Sequence, residues 1–252
     1  EGSFSKGADV GWLPQMEATG YKFYDADGSE KDCLQLLKDR GMNTVRLRVF
    51  VNPSDDPRSG HCNKEETVAL ALRAQKMGFR IMINFHYSDS WADPGKQNKP
   101  AAWKTLNFDA LTTTLSAYTK EVVTQLKNNG ITPTWIQIGN ETNDGMLWEA
   151  GRASKSMGNF AALLNAGAKA VRETSPNSKI IVHISNGYDN AMFRWMFDGL
   201  KTNKVDYDII AMSLYPDANN WQTTTEQCYT NMLDMIARYG KPIMISEVGM
   251  DV

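Results

Sequence analysis

The chain has 252 residues, 42% of them apolar and 22% charged, with a net charge of -2. That length suits one large α/β barrel or two ordinary domains, and the small net charge excludes an electrostatic footprint for nucleic acid or an anionic membrane. No apolar run approaches the roughly 18 residues of a membrane helix, and Cys33, Cys62 and Cys228 lack any ligand-like spacing and allow one disulfide at most.

In chain order, Glu1-Gly2-Ser3 carries no initiator Met and reads as a processed or trimmed start. An opening strand is expected near Phe4 to Val10. A unit of amphipathic helix, Gly stop and short apolar strand then recurs. Glu30 to Arg40 sets Cys33, Leu34 and Leu37 on one helical face, stops at Gly41 and leads into a strand over Thr44–Phe50. The next helix opens at Asn63 with Glu66 three residues on, an approximate capping box, and stops at Gly78 before Arg80–His86. A long helix from about Phe108 to Asn129 stops at Gly130 ahead of Thr134–Asn143, where Trp135, Ile136 and Ile138 mark a buried strand. Strands are also expected over Lys179–Ser185, Asp208–Tyr215 and, after Gly240, Pro242–Val248, which makes seven. Met232 and Met235, at helical spacing, read as core.

Strands alternating with helices predict a parallel sheet with right-handed crossovers. A doubly wound nucleotide fold would want a Gly-rich phosphate turn after an early strand, and neither G-x-G-x-x-G nor G-x-x-x-x-G-K-[ST] occurs. Polar and aromatic residues instead close nearly every strand, which suits the mouth of a (β/α)8 TIM barrel. The expected architecture is therefore α/β, a single catalytic barrel domain over 1–252. It would be incomplete in this chain, which stops after strand seven without the last helix-strand-helix portion, either trimmed or completed elsewhere.

The strand ends carry the candidate chemistry. Arg46 and Arg48 share one face of strand two, His86 closes strand three, Asn140-Glu141 closes four, His183 sits late in five, Tyr215 closes six and Glu247 closes seven. If Glu141 and Glu247 meet across the opening at about 5 to 5.5 Å, they have the geometry of retaining glycoside hydrolysis. A guanidinium near Glu247 would hold it ionised, and that anion would raise the pKa of Glu141. Asn140 could hydrogen-bond a sugar hydroxyl. Arg48 could instead brace the interior, and His86 and His183 could be satisfied core histidines. Trp91 and Trp148, in polar loops, suit sugar stacking as well as packing.

Lys6–Val10, Val45–Pro53, Phe85–Pro94, Ile138–Thr142, Gly145–Trp148 and Val182–Gly187, above all the His-Tyr-Ser-Asp-Ser-Trp-Ala-Asp-Pro run, resemble the arabinogalactan endo-β-1,4-galactanases of glycoside hydrolase family 53. These are retaining (β/α)8 enzymes, and the resemblance spans almost the whole chain. It implies Glu141 as acid/base and Glu247 as nucleophile, with Asn140, Arg46, His86, His183 and Tyr215 around the reacting sugar. Trp91 and the Asp93-Pro94-Gly95-Lys96 turn would line the donor side, and Ser185 and Asn186 would belong to the substrate site. The family commonly has Asp at the position of Ser185 and an aromatic at that of Leu214, which leaves contacts to the more distant donor sugars open.

The implied activity is endo-hydrolysis of β-1,4-galactan in pectic arabinogalactan side chains, with polysaccharide as partner. No cofactor or metal is expected in the site; a structural calcium, common after strand seven in bacterial relatives, would lie past the end of this chain. The protein is expected to be a monomer, secreted or displayed at the cell surface or in the periplasm. The alternatives are a related retaining glycanase acting on mannan, xylan or glucan, and a carbohydrate-binding barrel without turnover.

Overall fold

The computed structural model describes residues 3–250. Among them one parallel sheet runs in sequence order through β1 (Gly7–Asp9), β2 (Thr44–Val49), β3 (Arg80–Phe85), β4 (Trp135–Ile138), β5 (Lys179–Ile184), β6 (Ile209–Leu214) and β7 (Ile243–Val248). Helices α1 (Leu13–Ala18) and α2 (Cys33–Asp39) follow β1, and α3 (Lys64–Lys76), α4 (Phe108–Asn128), α5 (Met157–Thr174), α6 (Asn190–Thr202) and α7 (Trp221–Tyr239) follow β2 to β6 in turn. The sheet curls: Arg46 on β2 donates to Glu247 on β7 at 2.8 Å, although the two are 201 residues apart. The curled wall is that of a (β/α)8 barrel, seven strands long, as the alternation predicts. No helix among the described residues is long and apolar enough to cross a membrane.

Strands β2 and β6 are buried along their whole length because both faces are covered. Val45, Leu47, Val49, Ile83, Phe85, Ile136 and Ile138 pack outward into the core beneath the helices. The alternate residues point inward in layers. A lower layer of Met82, Trp135, Ile181, Ile209 and Ala211, with Met244 against it, is apolar. The layer above it consists of buried polar groups: Arg46, Asn84, Gln137, His183 and Ser213.

Strand β7 carries an irregularity on which the site depends. Ala211 pairs with Met244 and Met212 with Ile245, but Ser213 pairs with Glu247, so Ser246 is the extra residue of a bulge. Strict alternation from the inward Met244 would turn the Glu247 side chain outward; one inserted residue reverses that parity and aims it into the barrel.

Beyond shifts of a residue at other element ends, the structure departs from expectation at the opening strand and at the first two helices. The opening strand is Gly7–Asp9, not Phe4–Val10, because pairing to β2 is confined to Gly7, Ala8 and Asp9, and Phe4 is exposed. Helix α2 starts at Cys33, since the Asp32 carboxylate accepts the Gln35 N–H as its N-cap while Glu30 forms a bridge with Tyr24. Helix α1 was not expected; the sequence signal for it is Pro14 in its first turn. The Asn63–Glu66 capping box is present in full, and Gly240 ends α7 in the left-handed conformation, φ +64°. All three cysteines are free.

Helix α5 lies close against β4, the strand that delivers Asn140-Glu141. A Cβ at Gly167 would come within 2.8 Å of Ile138 Cγ2 and 3.3 Å of the Tyr87 hydroxyl. Gly167→Val is expected to cost about 1–3 kcal/mol and lower the thermal midpoint by several degrees. Differential scanning calorimetry checks this, and an unchanged midpoint contradicts the tight helix–strand approach.

Candidate active site

The upper polar layer is organised by Arg46, whose side chain leaves β2 and ends in the barrel interior. Nη1 donates to Asp9 Oδ2 at 2.7 Å and to Glu247 Oε1 at 2.8 Å; Nη2 donates to Gln137 Oε1 at 3.0 Å and to Asn140 Oδ1 at 2.9 Å. One buried guanidinium thus ties together β1, β7 and the end of β4. Asn140 also accepts from Asn84 Nδ2 at 3.0 Å and donates to the Ala92 carbonyl at 2.8 Å. Beyond it the chain turns sharply, with Glu141 itself at φ +47°, and Gln97 Nε2 braces the turn by donating to the carbonyls of Asn140 and Glu141 at 2.8 and 3.2 Å.

Glu141 and Glu247 then face each other. Their carboxylate oxygens and a ring nitrogen of His183 all lie within 4.8 Å of one another. The two acids have opposite surroundings. Burial and the nearby charge of Glu247 raise Glu141 to about 7, against which the Ser213 hydroxyl, donating to Oε1 at 3.0 Å, works weakly. Burial alone would raise Glu247 too, but the Arg46 guanidinium and the Tyr215 hydroxyl, which donates to Oε2 at 2.8 Å, hold it at about 2. Below about pH 7 one carboxyl therefore carries a proton while the other is an anion.

The trio of Glu141, His183 and Glu247 has the donor types of a metal site, but His183 has no lone pair to give. Its Nδ1 accepts the Glu141 N–H at 3.2 Å and faces Gln137 Nε2 at 3.1 Å, and its Nε2 lies 2.8 Å from Ser213 Oγ. Burial and Arg46 depress His183 to about 3, and burial, Arg46 and Arg48 push His86 well below its ordinary value, so both rings are neutral.

A cavity of about 650 Å³ opens over the acids, with Asp9, Arg46, Arg48, His86, Trp91, Asp93, Asn140, Glu141, Tyr215 and Glu247 in its wall. His86 is held by the Ala92 N–H, which donates to Nδ1 at 2.9 Å. Trp91 is partly exposed, donates to the Ser59 carbonyl, and is backed by the Arg48 guanidinium 4.1 Å from its ring. Arg48 thus serves as a brace rather than a partner of the acids.

Other expected site residues lie outside this wall. Pro94, Gly95 and Lys96 complete a turn closed by the Asp93–Lys96 backbone pair, which leaves only Asp93 in contact with the cavity. His183 is sealed beneath Glu141. Ser185 is buried in a bond from Asn143 Nδ2 at 2.7 Å, and Asn186, exposed at φ +56°, lies beyond it. Trp148 packs under Arg152. Asp9, Asn84, Gln137, Ser213 and Gln97 had not been expected in the site. Asn84 and Gln137 could have been found as polar residues inside otherwise apolar strands, whereas Gln97 sits in a loop with no local signal.

A protonated and an ionised carboxyl facing each other over a barrel mouth, beside an aromatic wall, define a glycoside hydrolase active site. The chain belongs to glycosyl hydrolase family 53, whose family model matches residues 5–252. It is 35% identical to the endo-beta-1,4-galactanase of Bacillus subtilis, with 97% of this chain and 56% of that protein covered. It is also 35% identical to a probable arabinogalactan endo-beta-1,4-galactanase A of Neosartorya fischeri, over 96% of this chain and 68% of the relative. The solved catalytic domain of this family from Ignisphaera aggregans superposes with a TM-score of 0.90 at 35% identity, covering 97% of this chain and 68% of that one.

The raised pKa of Glu141 links the site to stability. The fold favours the protonated acid, so the corresponding stability is complete below about pH 4.5 and is lost as pH rises through about 7. Glu141→Gln should therefore be more stable than the parent at pH 8 by about 1–2 kcal/mol, after allowing for solvent screening at the mouth, and gain little at pH 4. Urea unfolding at the two pH values measures this, and equal differences at both would refute the assignment.

Proposed function

We propose that the protein is an endo-acting, retaining hydrolase of β-1,4-galactan that works on the polymer outside the cell, without a catalytic metal. The observation that carries the mechanism is the pair of carboxyls within 4.8 Å of each other, in surroundings that favour a proton on one and a charge on the other. The galactan substrate is supported by family membership and by the names of the relatives.

The reaction follows from the proton positions. Glu247, the anion, attacks the anomeric carbon as Glu141 gives its proton to the departing glycosidic oxygen; the C–O bond breaks and a glycosyl ester of Glu247 forms. Glu141, now ionised, takes a proton from water, the resulting hydroxyl attacks the same carbon, and Glu247 leaves as carboxylate. Two inversions give net retention. Arg46 and Tyr215 hold the nucleophile in place, Asn140 has an amide hydrogen free for a sugar hydroxyl, and Trp91 offers a ring to a sugar face.

Two measurements test the proposal. Glu247→Ala should lower kcat on galactan by several orders of magnitude with circular dichroism unchanged; near-normal turnover would refute the nucleophile assignment. NMR of the first products should show the β-anomer, and reducing ends should be released from galactan in preference to mannan, xylan or glucan. An α product excludes the double displacement, and galactan bound without product release points to a binding barrel.

A further inference from the structure

Beneath Glu141 a chain of hydrogen bonds leaves the residue through its backbone and returns through its side chain. The Glu141 N–H donates to His183 Nδ1 at 3.2 Å, His183 Nε2 lies 2.8 Å from Ser213 Oγ, and Ser213 Oγ lies 3.0 Å from Glu141 Oε1. His183 and Ser213 are fully buried and neither lines the cavity, so neither touches substrate.

The direction of every proton in this ring can be derived. His183 Nδ1 receives a backbone N–H and therefore carries no proton of its own; a neutral imidazole then has its hydrogen on Nε2. That hydrogen points at Ser213 Oγ. A hydroxyl has a single hydrogen, and with Nε2–H donating to its oxygen, that hydrogen must go to Glu141 Oε1. Oε1 is thus a permanent acceptor in both protonation states of the acid.

Resting on the reading of Glu141 as acid/base, we infer that Ser213, oriented by His183, is a positioning residue that confines the catalytic proton to Oε2 of Glu141 and locks that side chain above its left-handed backbone. The proton is thereby kept on the oxygen that is not held from beneath. The same donation favours the carboxylate form needed in the second half of the reaction. The other charged or titratable groups facing Glu141 are Glu247 from β7, Arg46 from β2, Asp93 from the loop after β3 and Tyr215 from the end of β6. None of them contacts Ser213 through a side-chain hydrogen bond, so a change at Ser213 reports on this ring.

Ser213→Ala should move the alkaline limb of the kcat/KM profile upward by about half to one pH unit, the margin by which one hydroxyl's hydrogen bond favours the carboxylate over the protonated acid. It should slow galactan hydrolysis roughly threefold to tenfold while sparing a dinitrophenyl β-galactobioside, whose leaving group needs no proton. Ser213→Thr, which keeps the hydroxyl, should restore the limb. A limb that stays in place in Ser213→Ala overturns the inference. Should the alanine variant fail to fold, ¹⁵N NMR of the His183 ring in the parent protein gives an independent answer: the Nε2–H tautomer supports the ring, and the Nδ1–H tautomer or a doubly protonated ring overturns it. Glu141→Ala in the same assays separates the two readings. If it lowers kcat/KM, which reports the glycosylation step, equally for galactan and the activated substrate, the acid/base assignment itself fails; if it spares kcat/KM for only the activated substrate while Ser213→Ala leaves the limb unmoved, the positioning role alone fails.

Discussion

A guanidinium taken out of water needs acceptors, and the interior of this barrel is arranged to give each terminal nitrogen of Arg46 two of them. Two carboxylates and two amide oxygens supply the match, and they come from β1, from β7, from inside β4 and from the residue that precedes Glu141. Because each of those groups is itself held by the backbone, the cation fixes where β7 stands relative to β4. The distance between the two acids is therefore set by a structural ion pair rather than by the loops above them. The same contact fixes the charge state of Glu247, so geometry and electrostatics share one cause.

The polar layer is expensive to bury where a group is left unmatched, and its amides, imidazole and hydroxyl satisfy one another, with Arg46 Nε the group in the layer left without a partner. Asn84 accepts from Gln137 at 2.7 Å and donates to Asn140 at 3.0 Å, and Gln137 faces His183 at 3.1 Å. Below them the apolar layer of Met82, Trp135, Ile181 and Ala211 keeps the network in a low-dielectric setting that strengthens its bonds. Rigidity at the mouth comes from this stacking of a polar sheet of side chains on an apolar one. Glu141 can consequently be held at an unfavourable backbone angle, because Gln97 and His183 fasten the turn on both sides.

Most of this was legible in the residues and some of it was not. Helix stops, the Asn63 capping box and the apolar strands follow from periodicity and local chemistry, and so the barrel and its strand-end acids could be read in order. The bulge at Ser246 has no such signature. In Ile-Met-Ile-Ser-Glu-Val, alternation counted from Met244 sends Glu247 to the outer face, and only the pairing with β6 shows that one residue has been inserted. Nor does spacing reveal that His183 lies beneath Glu141 instead of beside the sugar, because a histidine late in a strand looks the same at either depth. The turn at Asp93–Lys96 resisted for a related reason: its sequence fixes that the chain reverses, while the direction in which Pro94, Gly95 and Lys96 project depends on how β3 and β4 are spaced.

The asymmetry between the acids comes from the number of hydrogens each receives. Two anions about 5 Å apart repel by about 3 kcal/mol at an effective dielectric near 20, so the pair keeps one proton up to about pH 7 and the question is which carboxyl holds it. Glu247 receives a charged donor and a phenol, whereas Glu141 receives one serine hydroxyl, so the proton belongs to Glu141. In the proposed reaction this balance changes at the moment it must. Once Glu247 is esterified to the sugar its charge is gone, the repulsion that added to burial in keeping Glu141 protonated disappears, and Ser213 still donates to Oε1. The same side chain that was an acid in the first step is then left as a carboxylate able to take a proton from water, a change that the loss of one charge brings about by itself.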